Sequence, residues 1–275
     1  MALSRAKIGS MTKYPYYSVV IPAFNESARI PATLEEVVAC IRAREWDAEV
    51  IVVDDGSGDN TAQVVLDFAN SAPEVRLIQN RQNRGKGYSV RNGMLNARGD
   101  ILLFSDADFS SPIYEAVKLI GAINDGAEVA FGSRWLLAET QTKRQSRLRQ
   151  FVGRAYNLLL RVALGLPYKD TQCGFKAFTR KAAEVIFTRQ QIEGWGFDPE
   201  ILFIARKFGI ALQEVAVEWA NDDRSKINPI TDGVKMFWEL LRIRYYGMTG
   251  QYARPTFQFF ASTPGTVIVD GKRPA

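Results

Sequence analysis

The stretch ILLFSDADFSSP, Ile101 to Pro112, runs from four apolar or aromatic residues straight into two carboxylates, Asp106 and Asp108. Aspartate is seldom fully buried unless it is paired. The apolar part reads as a central strand, and its end as the floor of a cleft. In an extended segment residues i and i+2 face the same way, so Asp106 and Asp108 are expected to point together while Ala107 points away. Two like charges held close raise one pKa. A hard cation such as Mg²⁺ or Mn²⁺ removes the conflict, because it prefers oxygen and completes its shell with water and phosphate. The following SSP reads as a helix start, with Ser111 as N-cap and Pro112 at the first helical position. The competing reading is that the acids only decorate that helix terminus, although Asp106 lies too far upstream to cap it.

Working outward, apolar β-branched runs recur at roughly 25 to 30 residues, the length of a strand–helix–strand unit. They are YSVVIP (Tyr17 to Pro22), EVIVVD (Glu49 to Asp54), VRLIQ (Val75 to Gln79), ILLFSD and EVAFGS (Glu128 to Ser133). Between them, Pro31–Arg44, Asn60–Phe68 and Tyr88–Ala97 have helical spacing. This alternation predicts an α/β fold with a mostly parallel sheet covered on both faces. Polar and glycine residues follow every strand: PAFNE, DDGSGD, NRQNRGKG, DADFSSP and GSR. In open α/β sheets that edge binds ligands. Neither G-x-G-x-x-G after the first strand nor a P-loop is present. Lys86 and Arg84 of NRGKG either touch a phosphate or belong to a solvated helix start.

Composition narrows the chemistry. The 275 residues contain no histidine and two cysteines, Cys40 and Cys173. Histidine bases, Ser-His and Cys-His pairs and His-held metals are excluded. A disulfide framework is not expected. The net charge is +5, yet seven basic residues and no acid fall between Thr140 and Lys169. Such a segment suits phosphates or an anionic membrane surface. It lacks the aromatic interleaving with which single-strand binders stack bases, so no nucleic acid is expected. No apolar run reaches the ~18 residues of a membrane span, and the first residues have no signal-like apolar region. The expected location is the cytoplasm.

The motifs VVIPAFNE, VVDDGSGDNTA, NRGKGYSVRNGMLNARGD and SDADFSSP resemble the family-2 glycosyltransferases of GT-A, Rossmann-like fold. GSRW, DTQCGFKAFTR (Asp170 to Arg180), GWGFDPEILFIA (Gly194 to Ala205) and VAVEW followed by RSK resemble the dolichyl-phosphate β-glucosyltransferases within it. Polyprenyl-phosphate mannosyltransferases are more distant. The resemblance covers about Tyr17 to Tyr246. It implies that Pro22, Phe24, Glu26, Val53 and Asp55 line the nucleotide, with Lys86, Ala107 and Arg134 in the same donor group. It makes Asp106 and Asp108 the metal-binding Asp-x-Asp pair, for Mg²⁺ or Mn²⁺. Arg134 and Arg224 would sit near phosphate, and Gln172, Lys176, Arg224 and Lys226 on the acceptor side. Catalysis falls to Asp108, Asp198 and Arg224. Asp198 either serves as a base, if the acceptor is a hydroxyl, or caps the helix through Ile201–Lys207.

The implied reaction is inverting transfer of a hexose, glucose from UDP-glucose, to a polyprenyl phosphate of dolichyl type. Alternatives are a GDP-mannose donor, a soluble acceptor, or a non-enzymatic basic membrane-binding protein. Eukaryotic members of the family usually have an N-terminal membrane anchor, and none is expected from this sequence. Peripheral contact with the cytoplasmic face of a membrane is expected instead through basic amphipathic helices near 144–166 and 231–247. In the first, Leu148, Phe151, Val152, Ala155, Tyr156, Leu159 and Ala163 form one stripe and Arg147, Arg154 and Arg161 another. The same pattern fits a helix packed on the domain. The expected organisation is an extension over 1–15, one domain over 16–250 and an unassigned tail over 251–275.

Overall fold

The computed structural model describes residues 16–108, 110–136, 141–143, 158–220, 231–260 and 266–270. The five anticipated strands are β1 (Tyr17–Ala23), β2 (Ala48–Asp54), β3 (Val75–Asn80), β4 (Ile101–Ser105) and β5 (Val129–Ser133). The helices between them are α1 (Ile30–Ala43), α2 (Thr61–Ala69), α3 (Lys86–Asn96) and α4 (Ala116–Asn124). Then come β6 (Gln141–Lys143), α5 (158–164), β7 (Phe175–Thr179), α6 (Arg180–Phe187) and α7 (Phe197–Lys207). The last elements are β8 (Leu212–Ala216), β9 (Trp219–Ala220), α8 (Thr231–Thr249) and β10 (Thr266–Asp270).

Eight strands form one sheet in the order β10-β3-β2-β1-β4-β7-β5-β8. Strands β1 to β4 are parallel, and so are β5 and β8. Strand β7 runs antiparallel between β4 and β5, and β10 antiparallel along β3. The sheet is therefore mostly parallel, as the sequence predicts. Part of the tail is not a loose end: β10 extends the sheet, and Tyr252 is fully buried against α7.

The strands read as continuous apolar runs because both faces are covered. Val19, Ile21, Val50, Val52, Ile101 and Leu103 pack on one side with α1, α2 and α4. Val20, Ile51, Val53, Leu102 and Phe104 pack on the other with α3, α6, α7, Leu160 and Leu164 of α5, and Leu240 and Ile243 of α8. Helix α3 begins two residues earlier than its apolar pattern suggested, at Lys86, and is buried from Gly87 to Asn96.

Two local expectations are corrected. Strand β4 stops at Ser105, and Ala107 and Asp108 lie in a turn, so strand alternation is not what brings the acids together. Pro112 precedes a 3₁₀ turn over Ile113–Glu115 instead of opening an α-helix, and no side chain caps that turn.

Beneath the sheet's amino edge lies a buried charge cluster. Glu49 pairs with Arg76 at 2.6 Å and accepts from the Ser18 hydroxyl at 2.7 Å and the Arg98 N–H at 2.6 Å. Removing one partner of a buried pair leaves the other uncompensated. Glu49→Ala is expected to lower unfolding stability by about 3–5 kcal/mol, measured by urea denaturation.

Candidate active site

The carboxyl ends of the strands hold the chemistry. Loops after β1 and β2 are laced together: the Asn25 N–H donates to Ser57 Oγ, Gly58 N–H to Asn25 Oδ1, Ser27 N–H to Asp59 and Glu26 N–H to Thr61 Oγ1. Glu26 also pairs with Arg29 at 2.9 Å. Phe24 stands 37% exposed at this rim. Pro22 lies in β1, partly covered. Val53 has no exposed surface and packs under α3, so its side chain is core and only the backbone of β2 there can face the cleft. Ala107 is likewise buried, its carbonyl accepting from Thr33 Oγ1 at 2.8 Å.

Asp55, at the end of β2, organises the next loop. Its carboxylate accepts from Asn80 Nδ2 at 2.9 Å and from the Arg84 and Gly85 N–H groups. Burial raises its pKa, and these hydrogen bonds oppose the rise. Holding Gly85 fixes the first residue of α3, Lys86.

Lys86 Nζ sits 2.6 Å from Asp106 Oδ1, an ion pair that lies off hydrogen-bond geometry. The ammonium also faces the rings of Trp195, Phe104 and Phe197 at 5.1, 5.4 and 5.8 Å. Burial works against its charge, but Asp106, Asp198 and Asp108 outweigh burial and hold its pKa above the usual lysine value. Asp106 is pushed up to about 6: burial raises it, Lys86 lowers it, and Asp108 raises it again. The like-charge conflict read from the sequence is present, but it is smaller than desolvation and than the opposing pull of Lys86. Asp108 accepts from the Ser110 N–H at 3.0 Å.

A second pair lies beside the first. Lys176 of β7, fully buried, donates to Asp198 and to the Cys173 carbonyl. Asp198 falls in the first turn of α7, whose N-cap is Gly196, so it does not cap that helix. Further along the edge Arg134 grips Asp170 at 2.6 and 2.8 Å, and Gln172 N–H donates to the same carboxylate. Burial opposes the Arg134 charge, and Asp170 more than restores it.

The donor set suits a hard divalent ion: two carboxylates at a strand end, with a buried Asp106 oxygen held by the Lys86 ammonium. Among the described residues no three His, Cys, Asp or Glu converge on one point. A cation held here would draw most of its ligands from water and substrate, as Mg²⁺ ordinarily does.

The family model described as glycosyl transferase family 2 matches residues 18–187. The chain belongs to that family. Dolichyl-phosphate beta-glucosyltransferase of Trichomonas vaginalis is 39% identical over 260 residues, 90% of this chain and 76% of that protein. The proteins of the same name from Homo sapiens and Saccharomyces cerevisiae are 35% and 36% identical, each over 86% of this chain and 76% of the relative. Among solved structures, mannosyl-3-phosphoglycerate synthase from Rubrobacter xylanophilus superposes with a TM-score of 0.64 at 17% identity, covering 91% of this chain and 78% of that one. Glucosyl-3-phosphoglycerate synthase from Mycobacterium tuberculosis, in complex with UDP, gives 0.60 at 21%, covering 88% and 81%. Both share the fold.

In this family-2 domain the sequence motifs meet as follows. Lys86, Asp106, Asp108, Lys176 and Asp198 form one electrostatic cluster. Asp55 joins it only through the backbone of Arg84 and Gly85. Arg224 and Lys226 lie outside the described residues, as do residues 144–157 of the basic segment expected near 144–166, and Phe109. Sequence reading missed Asp170 as the partner of Arg134 and Trp195 as a wall over Lys86; only the motifs containing them stood out.

Gly174 is required by close approach. Its carbonyl accepts from the Asp106 N–H at 3.1 Å, and a Cβ there would overlap the Asp106 carboxylate. Gly174→Ala is expected to displace that carboxylate and cut turnover about 100-fold, the cost of misplacing a reacting group by about 1 Å. A melting curve close to wild type, measured alongside the rate, separates displacement from unfolding.

Proposed function

We propose that this chain transfers glucose from UDP-glucose to a dolichyl-type polyprenyl phosphate, with inversion, at a membrane surface. The observation that carries the reading is the paired arrangement Lys86–Asp106 and Lys176–Asp198 at the strand ends, in a chain whose relatives bear the name dolichyl-phosphate beta-glucosyltransferase.

Asp106 and Asp108 would hold Mg²⁺ or Mn²⁺. When bound, such a cation neutralises charge on the departing diphosphate. Lys86 adds a fixed positive charge beside Asp106 for the same diphosphate. Phe24 and the laced loops after β1 and β2 receive the nucleotide, with Asp55 beneath them. An oxygen of the acceptor phosphate attacks the anomeric carbon. The bond from that carbon to the diphosphate oxygen breaks, and its electron pair leaves with the nucleotide. One displacement inverts the centre, so an α-linked donor gives a β-linked lipid-phosphate glucose. No proton need be removed, because a lipid phosphate is already anionic at neutral pH. That suits a chain without histidine, whose candidate base Asp198 is already engaged by a buried lysine. Arg134, Gln172, Arg224 and Lys226 complete the phosphate-binding side.

Membrane contact is assigned to α8. Leu240, Ile243 and Gly247 face the domain, whereas Trp238, Leu241, Tyr245 and Met248 are exposed at helical spacing, with Lys235, Arg242 and Arg244 beside them. Leu158, Leu159 and Val162 of α5 are exposed too. Among the described residues no helix is long and apolar enough to cross a membrane. A helix with an apolar face and basic flanks lies in the lipid interface, which favours a peripheral position on the cytoplasmic face.

The direct test supplies Mg²⁺ or Mn²⁺, a polyprenyl phosphate, and UDP-glucose, UDP-glucuronate or GDP-mannose in turn. UDP-glucose is expected to label the lipid, and Asp108→Asn to lower the rate by at least about 100-fold. Labelling from none of the donors overturns the proposal; labelling from GDP-mannose alone overturns the choice of donor. For the membrane contact, Trp238→Glu is expected to reduce co-sedimentation with anionic vesicles without shifting the melting temperature.

A further inference from the structure

One half-buried carboxylate of α8 has no part in the proposed reaction. Glu239 lies on α8, and its side chain turns inward toward the cleft wall. It accepts the Gly196 N–H at 2.7 Å. Burial raises its pKa, and that hydrogen bond opposes the rise. Gly194 packs so closely that an added Cβ would overlap Glu239 Oε1, and a Cβ on Gly196 would lie 2.7 Å from Oε2. Glu239 thus fills the space that two glycines leave beneath residue 195.

The other side of the same loop rests on the start of α3. The Tyr88 N–H donates to the Glu193 carbonyl at 3.1 Å. A Cβ on Gly87 would lie 2.6 and 2.9 Å from the carbonyl oxygens of Ile192 and Gly194. Arg84 and Arg91 both pair with Glu193, at 2.8 and 3.0 Å. The loop 193–196 is therefore clamped between α3, which presents Lys86, and α8, which presents Glu239. Its Trp195 ring lies 5.1 Å from Lys86 Nζ, and Asp198 follows in the next turn.

We propose that Glu239 is a positioning residue through which the exposed helix α8 holds Trp195 over Lys86 and sets the start of α7. The inference deepens the reading of Lys86 as a donor-side cation and rests on it. An acceptor oxygen is what Gly196 needs, so glutamine can replace Glu239 and alanine cannot.

The test compares Glu239→Ala, Glu239→Gln and Gly194→Ala with the wild-type full chain in the UDP-glucose and polyprenyl phosphate assay. Glu239→Ala is expected to lower kcat about ten-fold while leaving the donor KM within about two-fold, because the loop and not the nucleotide rim is disturbed. Glu239→Gln is expected to retain most of kcat. Gly194→Ala is expected to lower kcat in the wild-type background and to cost less when combined with Glu239→Ala, since the overlap partner is then gone. Amide hydrogen exchange over 193–197, which needs no turnover, is expected to quicken in Glu239→Ala and not in Glu239→Gln. Wild-type kcat in Glu239→Ala, unchanged exchange in that variant, or equal damage from alanine and glutamine each overturns the inference. A wild-type protein that labels no lipid overturns the proposed function instead, and the exchange result still decides whether Glu239 holds the loop.

Discussion

The ion pair between Lys86 and Asp106 is the constraint on which the cleft depends. A carboxylate at the end of a fully buried strand and a lysine at the first position of a buried helix are each costly alone. Together they offset one another, and the rest of the cleft keeps them together. Asp55 fixes Gly85 and thereby where α3 begins. Gly174 leaves room for the Asp106 carboxylate. The rings of Phe104, Phe197 and Trp195 surround the ammonium. Each of these elements comes from a different part of the chain, so the site is a property of the sheet edge and not of any one motif.

The second pair, Lys176 with Asp198, extends the same logic to β7. This strand runs against its neighbours, inserted between β4 and β5. Its insertion brings the DTQCGFK motif against the end of β4, so that Gly174 meets Asp106 and Lys176 stands opposite Phe104. A continued parallel β-α-β pattern would have put β5 next to β4, and the Cys173–Lys176 segment elsewhere. The antiparallel strand is therefore what places Gly174 and Lys176 at this edge of the sheet.

Helix α8 has an exposed apolar face and, turned inward, Glu239. Tryptophan, tyrosine and arginine suit an interface that is apolar on one side and wet on the other. The opposite side of the same helix packs Leu240 and Ile243 into the core and presents a carboxylate to the loop above Lys86. The exposed apolar stripe and the carboxylate that holds the loop thus lie on opposite sides of one helix.

Much of this was legible in the chain itself. The five strands and the helices between them follow from period and length, since both faces of a parallel sheet must be apolar. The absence of histidine left oxygen ligands for any metal, and the DAD spacing pointed to two carboxylates at one strand end. The sequence could not show why the acids converge: β4 ends at Ser105, and a turn brings them together where strand alternation had been expected to. Nor could it show that Val53 is core, that Arg134 is held by Asp170, or that Asp198 is held by Lys176. Those partners lie 22 to 36 residues apart and meet only because β7 is inserted into the sheet. Local sequence determines periodicity, charge inventory and loop chemistry; pairing across the sheet, and with it the ion pairs of Lys86, Arg134 and Lys176, is decided by strand order, which only the packed tertiary structure sets.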